Sequence, residues 1–153
     1  MKFRKMMGVT AAFLCAALAL SGCGSTGETA YRIGIVQQDE HSSLDAATQG
    51  FEDKLMELLG EENITFDYQN AQGEQANSTT IATKFVSDGC DLILANGTTA
   101  LQSAAAATAD IPIVGTSVTD YIAAGAVNSN EKPGTNAQVL KTKDFSVSDS
   151  KPM

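Results

Sequence analysis

One short segment carries the side-chain types that hydrolases use, and these are His41, Ser42, Ser43 and Asp45. A catalytic triad needs a base held between a nucleophile and a carboxylate, in a geometry that separate parts of a fold supply. Four neighbours on one loop and helix start cannot form it. Asp39 and Glu40 could ligate a metal ion, but no second acidic or histidine cluster supports that site. The sequence therefore predicts no catalytic residue, no metal and no cofactor.

Hydrogen bonding to a small ligand is the chemistry that the polar loops of this chain suit better. Hydroxyl- and amide-rich loops follow the first, third and fourth predicted strands, near 37–43, 96–99 and 116–120. In a doubly wound sheet these loops lie side by side at the carboxyl edge. Two of them lead into predicted helix N-termini that carry Thr98, Thr99 and Thr119. Free backbone N–H groups there would suit a carboxylate or another anion.

Four short apolar segments predict the strands that position these loops. The first, from Tyr31, is rich in β-branched residues and too short for a helix, as expected of a strand covered on both faces. The second, Ile64 to Tyr68, has one wetter face and suits a sheet edge. The third is Asp91 to Ala95, and the fourth is Ile111 to Val114. The strands predict one parallel sheet over residues 31–130, ordered 2-1-3-4.

Helical periodicity separates the predicted strands. The first helix is expected to begin at Ser42 or Ser43, with Ser42-x-x-Asp45 as a capping box, and to end at Gly60. A second helix is expected to end at Gly89. An alanine-rich helix is expected over 100–109, and a short one over 121–127. The fold class is therefore α/β, with a doubly wound parallel sheet.

The first 22 residues have the pattern of a secretory signal, with a basic start and an apolar run that is short for a membrane span. Leu20 to Cys23 resembles the bacterial lipoprotein box, in which the cysteine is lipidated and becomes the mature N-terminus. Removal of residues 1–22 would change the formal charge from −8 to −11, because they carry three basic residues and no acid. Such an acidic chain would repel the phosphates of nucleic acid, so no nucleic-acid partner is expected.

The three cysteines predict no intrachain disulfide in the mature chain. Cys15 leaves with the signal and Cys23 is expected to be lipidated, which leaves Cys90 as the remaining thiol. Cys90 precedes a predicted strand and is expected to be a small buried residue. Residues 23–30 are small and polar, and we expect them to be a tether.

Residues 31–136 resemble the first lobe of the ABC-transporter substrate-binding lipoproteins of the tryptophan or tyrosine type. The segments that carry the resemblance occur in the family's order: IGIVQQDEHSSLD (33–45), NAQGEQAN (70–77), FVSDGCDLILANGTTALQSA (85–104), DIPIVGTSVTD (110–120) and EKPGTN (131–136). The resemblance implies one lobe of a type I periplasmic-binding-protein-like clamshell. Such proteins hold a small amino-acid-like ligand in the cleft and deliver it to an ABC permease.

Carried over residue by residue, the resemblance implies a set of ligand-binding candidates: Gln38, Glu40, His41, Thr98, Thr99, Thr116, Thr119 and Asp120. Two positions depart from the family pattern, because Ser42 and Tyr121 stand where proline is common. After Asn136 the polar segment 137–153 departs from the pattern and is interpreted as a divergent tail. Two alternatives stay open for it, disorder or one weak strand beside strand four.

The predicted domains are thus a signal peptide (1–22), a tether (23–30), the lobe (31–136) and the tail (137–153). The predicted function is that of an extracytoplasmic solute-binding lipoprotein of an ABC importer, as a truncated copy without the second lobe, anchored by lipid on the outer face of the bacterial cell membrane. The alternative is a membrane-tethered interaction or structural lipoprotein without transport activity. A flavodoxin-like enzyme is disfavoured because no phosphate-cradling loop is present.

Overall fold

The computed structural model describes residues 30–129 and 134–139. The predicted signal peptide, the lipidation candidate Cys23 and the tail beyond residue 139 lie outside the described residues. Among the described residues, none of the helices combines the length and the apolar character that a membrane span needs.

A parallel sheet of five strands forms the centre of the fold. The strands are β1 (Tyr31–Gln37), β2 (Ile64–Asn70), β3 (Leu92–Asn96), β4 (Ile113–Thr116) and β5 (Ala137–Val139). Their spatial order is β2-β1-β3-β4-β5. The predicted order of the first four strands is confirmed, and the wetter second strand lies at an edge of the sheet.

A fifth strand extends the four that were predicted over residues 31–130. β5 pairs in parallel with β4, and Ile113 is in register with Ala137. The segment 137–153 therefore contributes the edge strand that was one of its two alternatives. The sequence left this strand as one of two alternatives because three residues are too few to establish an alternating pattern.

Three helices cover the sheet: α1 (Ser42–Leu59), α2 (Gln75–Ser87) and α3 (Thr98–Ala107). Phe85 of α2 and Leu101 of α3 share one core cluster with Ile93 of β3. On the opposite face, Phe51 of α1 packs with Leu94 of β3. Successive residues of a strand point to opposite faces, so α1 lies on one face and α2 and α3 lie on the other. The doubly wound prediction is confirmed.

The helix predicted over 121–127 is instead a hydrogen-bonded turn at Tyr121–Gly125. The Asp120 carboxylate accepts the backbone N–H groups of Ile122 and Ala123, each at 2.9 Å. Gly125 then takes a left-handed conformation (φ 71°). A left-handed residue ends a helical segment after its first turn, so the chain reverses here.

The buried core agrees with most of the apolar pattern. Cys90 is buried, as predicted. Ile93 and Leu94 are fully buried, whereas Leu92 is only partly buried against the α1 face. β3 is therefore fully buried from its second residue onward.

Candidate ligand-binding site

Backbone hydrogen bonds bring the loops after four strands together at the carboxyl edge of the sheet. The Gln38 N–H donates to the Asn96 carbonyl (2.9 Å), and the Gly97 N–H donates to the Thr116 carbonyl (3.0 Å). The Gly73 N–H, from the turn after β2, donates to the Gln38 carbonyl (2.8 Å). The expected juxtaposition of the polar loops is therefore present, and Gln38 lies at its centre.

The side chain of Gln38 lies directly on the turn that starts α3. Its Oε1 accepts the backbone N–H of Thr99 at 3.0 Å. Gly97, with φ 117°, leaves its backbone bare, and a Cβ there would lie 2.6 Å from both Cβ and Oε1 of Gln38. Only glycine combines that conformation with such a close approach. Gly97 therefore opens the space that the Gln38 amide occupies.

The N-terminus of α3 is thus capped from another part of the chain. Gly97 is its N-cap residue and supplies no side-chain hydrogen bond. The expectation of entirely free N–H groups is wrong for Thr99, because Gln38 accepts that one. The Thr99 hydroxyl, however, is buried without a hydrogen-bond partner among the described residues. Thr98 is half-buried beside it.

His41 caps α1, which the sequence assigned to Ser42. His41 Nδ1 accepts the Ser43 N–H (3.2 Å) and lies 2.8 Å from Ser43 Oγ. The predicted capping box is wrong, because Ser42 is already the first helical residue and the Asp45 carboxylate accepts a hydrogen bond from Gln37 Nε2. Glu40 is exposed, and its backbone N–H donates to the Asp39 carboxylate (2.8 Å). Both candidates therefore lie on the loop, and the His41 ring has a capping role there.

The candidates after β4 differ in how free their side chains are. Thr116 is half-buried at the end of β4, where its carbonyl accepts the Gly97 N–H. Thr119 is exposed. Asp120 uses a carboxylate oxygen to cap the turn that follows, so that oxygen is already occupied. The sequence expected a helix N-terminus here, and a capped turn stands in its place.

A buried polar cluster below these loops was missed from the sequence. Gln37 and Asn96 are fully buried at the ends of β1 and β3. Thr48 Oγ1 donates to Gln37 Oε1 (2.8 Å) and accepts from Asn96 Nδ2 (2.9 Å). Gln37 Nε2 donates to the Asp45 carboxylate (2.7 Å). The cluster links the start of α1 to the two central strands. In the sequence, the signal for it is the amide residue that ends each of the two apolar runs.

Within residues 30–129 and 134–139, two residues other than glycine have left-handed backbones, and both lie on this edge. Gln72 (φ 55°) is in the turn after β2, and Ser117 (φ 56°) directly follows β4. The Asn70 side chain accepts the Gln72 N–H (2.7 Å) and so supports that turn. Such conformations cost free energy and tend to occur at binding loops. Their position agrees with a functional role for the carboxyl edge.

A polar cavity of about 220 Å³ lies beside the buried cluster. Its lining consists of Gln37, Asp45, Thr48, Gln49, Glu52 and Tyr68. Burial raises the pKa of the Glu52 carboxyl, and the neighbouring charge of Asp53 raises it further. Across the described part of the chain, no group of His, Cys, Asp and Glu side chains has the arrangement of a metal site.

Comparison with known proteins identifies relatives of this chain. The sequence model of a family described as "ABC transporter substrate binding protein" matches residues 32–145. A curated relative named "Tyrosine-binding protein", from Clostridioides difficile (strain R20291), is 50% identical over 116 residues. That match covers 74% of this chain and 33% of the relative.

Two solved structures extend the comparison. The ligand-free, open structure of a substrate binding protein with adhesive properties from Clostridium difficile has 47% identity and a TM-score of 0.69, covering 71% of this chain and 38% of that one. An ABC domain in complex with L-Trp from Streptococcus pneumonia has 33% identity and a TM-score of 0.69, covering 72% and 38%. The chain thus spans about a third of the length of these relatives.

Proposed function

The chain belongs to the family of ABC transporter substrate-binding proteins, and from this premise we propose that it binds a small amino-acid-like ligand for an ABC importer. The relatives named for tyrosine binding and solved with L-Trp support an amino acid with an aromatic side chain as the ligand. The observation that carries the proposal is the turn at Gly97. There the start of α3 and a backbone position without a side chain lie next to three other polar loops at the carboxyl edge.

The proposed binding residues fall into two groups by what they can offer. Thr98 and Thr99 begin α3 and Thr116 ends β4, so these three residues bring hydroxyls to the carboxyl edge. The Thr99 N–H lies against Gln38. Glu40, His41, Thr119 and Asp120 lie on the flanking loops, where a negative side chain could meet the ligand's ammonium group. A helix N-terminus favours an anion, so the ligand carboxylate is assigned to the start of α3.

The ligand test is a titration of the full chain with L-tryptophan. The chain contains no tryptophan, so excitation at the red edge of indole absorption reports the ligand alone. The chain spans about a third of the length of its relatives. For a ligand held by the contacts of this chain alone, we expect saturable binding on the order of millimolar, about −4 kcal/mol. Thr98→Val should weaken the binding of L-tryptophan. Thr65→Val should not, because Thr65 is exposed on β2, away from the turn at Gly97. Absence of saturable binding to L-tryptophan and L-tyrosine would contradict the proposal.

The proposed location is the extracytoplasmic face of a bacterial membrane, beside an ABC permease. Members of this class of transport protein meet their ligands outside the cytoplasm, and the segment before residue 24 matches a lipoprotein signal. Lipid on Cys23 would supply the anchor, and two acyl chains would be needed for stable attachment. Cys23→Ala should move the protein out of the detergent phase or leave it as precursor. Unchanged partitioning would remove the anchor from the proposal.

A tethered interaction protein is the second candidate, and one relative favours it. The Clostridium difficile substrate binding protein is described as having adhesive properties. Adhesion of cells that display this chain separates the two readings. If Thr98→Val weakens ligand binding and adhesion is unchanged, the two activities use different surfaces. Adhesion without any amino-acid binding would favour the second candidate.

A further inference from the structure

We propose that Gln38 is a built-in competitor of the ligand, which must displace the Gln38 amide from the start of α3 in order to bind. The inference deepens the proposed function and rests on it. It assigns to Gln38 a role in specificity, because a ligand has to offer a better hydrogen-bond acceptor than the amide it replaces.

The contact defines which atom competes. The Thr99 N–H can only donate, so the atom of Gln38 that faces it at 3.0 Å is the amide oxygen. That oxygen is the partner that a ligand carboxylate would otherwise provide at this position. Gln38 follows β1, and Thr99 lies just after β3. Their contact therefore covers the turn at Gly97 from the β1 side.

The backbone of Gln38 is held in place, so displacement is a movement of its side chain. Its N–H is bonded to Asn96 and its carbonyl to Gly73. The side chain in contrast lies on Gly97, where no side chain opposes it. Rotation about the side-chain bonds would free the Thr99 N–H and move the amide away from Gly97, while Gln38 Cβ stays in place. No movement of the sheet is required.

A second observation points to an incoming group with more than one acceptor. The Thr99 hydroxyl is buried and has no hydrogen-bond partner among the described residues. A carboxylate has two oxygens, and it could accept both the N–H and the hydroxyl of Thr99. The Gln38 amide offers one oxygen. Charge-assisted hydrogen bonds are also about twice as strong as neutral ones, so a carboxylate can displace the amide.

The test compares Gln38→Met, which keeps the length and removes the acceptor, with Gln138→Met, which is exposed on β5, as the matched control. Gln38→Met should bind L-tryptophan about two- to tenfold more tightly, the range of one net hydrogen bond. Gln38→Glu should bind it less tightly than wild type, because a resident carboxylate competes and repels. Tryptamine, which lacks the carboxylate, should show neither change. Gln138→Met should match wild type.

Amide NMR of the full chain supplies a readout that does not depend on affinity. Gln38→Met without ligand should shift the Thr99 amide resonance and speed its hydrogen exchange. If Gln38→Met does not fold, Gln38→Ala replaces it in both measurements. If the wild type binds the ligand and Gln38→Met binds it equally or less tightly, the competitor role of Gln38 is overturned and the proposed function is not. A wild-type chain that binds no amino acid overturns the proposed function together with it.

Discussion

Gln37 and Asn96 lie opposite each other at the ends of β1 and β3, fully buried and linked by one hydroxyl. Thr48 Oγ1 donates to Gln37 and accepts from Asn96, and Asn96 Nδ2 also donates to the Leu44 carbonyl (2.7 Å). Hydrogen bonds in such a low-dielectric site reinforce one another. The start of α1, and with it the loop that carries His41, is therefore positioned by this pair.

Removal of the linking hydroxyl should destabilise the fold while leaving its shape unchanged. Thr48→Val keeps the side-chain volume but leaves Gln37 and Asn96 each short of a partner. An unsatisfied buried polar group costs about 1–3 kcal/mol. We expect the urea midpoint to fall with an unchanged m-value.

Thr83→Val is the control for this substitution. Thr83 is exposed on α2 and donates to the Thr79 carbonyl within its own helix. Exposed substitutions of this kind usually change stability by less than about 0.5 kcal/mol. Equal effects of the two valine variants would mean that the buried cluster adds nothing beyond helix propensity.

The sequence predicted the sheet well because its strands are marked by local apolar runs. It missed Gln37 and Asn96 as buried residues because their side-chain hydrogen bonds depend on how α1 packs against the ends of β1 and β3. Asn96 Nδ2 reaches across 48 residues to Thr48 and across 52 to Leu44. Periodicity detects which face a side chain takes and carries no information about such distant pairs.

The candidate site shows the same division. The sequence predicted that the loops holding Gln38 and Thr99 would converge, because the carboxyl ends of parallel strands share an edge. It could not predict that the Gln38 amide would occupy the start of α3, since these residues are 61 apart in the chain. Nor could it assign the cap of α1 to His41, because serine is the commoner N-cap residue.

The left-handed backbone at Ser117 should make that position selective for glycine over β-branched residues. A β-branched side chain at positive φ is a strong outlier, so Ser117→Val should lose about 1–3 kcal/mol relative to Ser117→Gly. Thermal or urea unfolding measures the difference. At Ser87, exposed and helical in α2, glycine should be the worse of the two replacements. The same order of the two replacements at both positions would argue against the strained turn.

The raised pKa of Glu52 should make its charge a cost to folding at neutral pH. The folded state holds this proton more tightly than the unfolded state, so Glu52→Gln should be more stable than wild type at pH 7. The gain should disappear as pH falls below the unfolded value, near 4.5. Denaturation midpoints from pH 4 to 8 test the trend, and a gain that is independent of pH would exclude the desolvation effect.

The Asp67 carboxyl should have the opposite effect on the pH dependence of stability. Hydrogen bonds from Gln69 and then Lys84 lower the pKa of its carboxyl. Its stabilising contribution is present above the unfolded pKa and is lost as pH falls through the lower folded pKa. Asp67→Asn should therefore be less stable than wild type at pH 7, and the two should converge in acid. A constant difference would mean that packing at β2 is the cause.

Gly34 in β1 should not accept even one methyl group, because the Phe85 ring lies against its backbone. A Cβ there would lie 2.6 Å and 2.7 Å from two ring atoms. Phe85 is fully buried and cannot move away, so Gly34→Ala should cost about 1–3 kcal/mol. Phe85→Leu in the same chain should recover part of that cost, which a double-mutant cycle measures. Gly50→Ala, with open space on α1, should instead gain about 0.5–1 kcal/mol. If both alanine variants gained stability, the contact between Gly34 and Phe85 would be refuted.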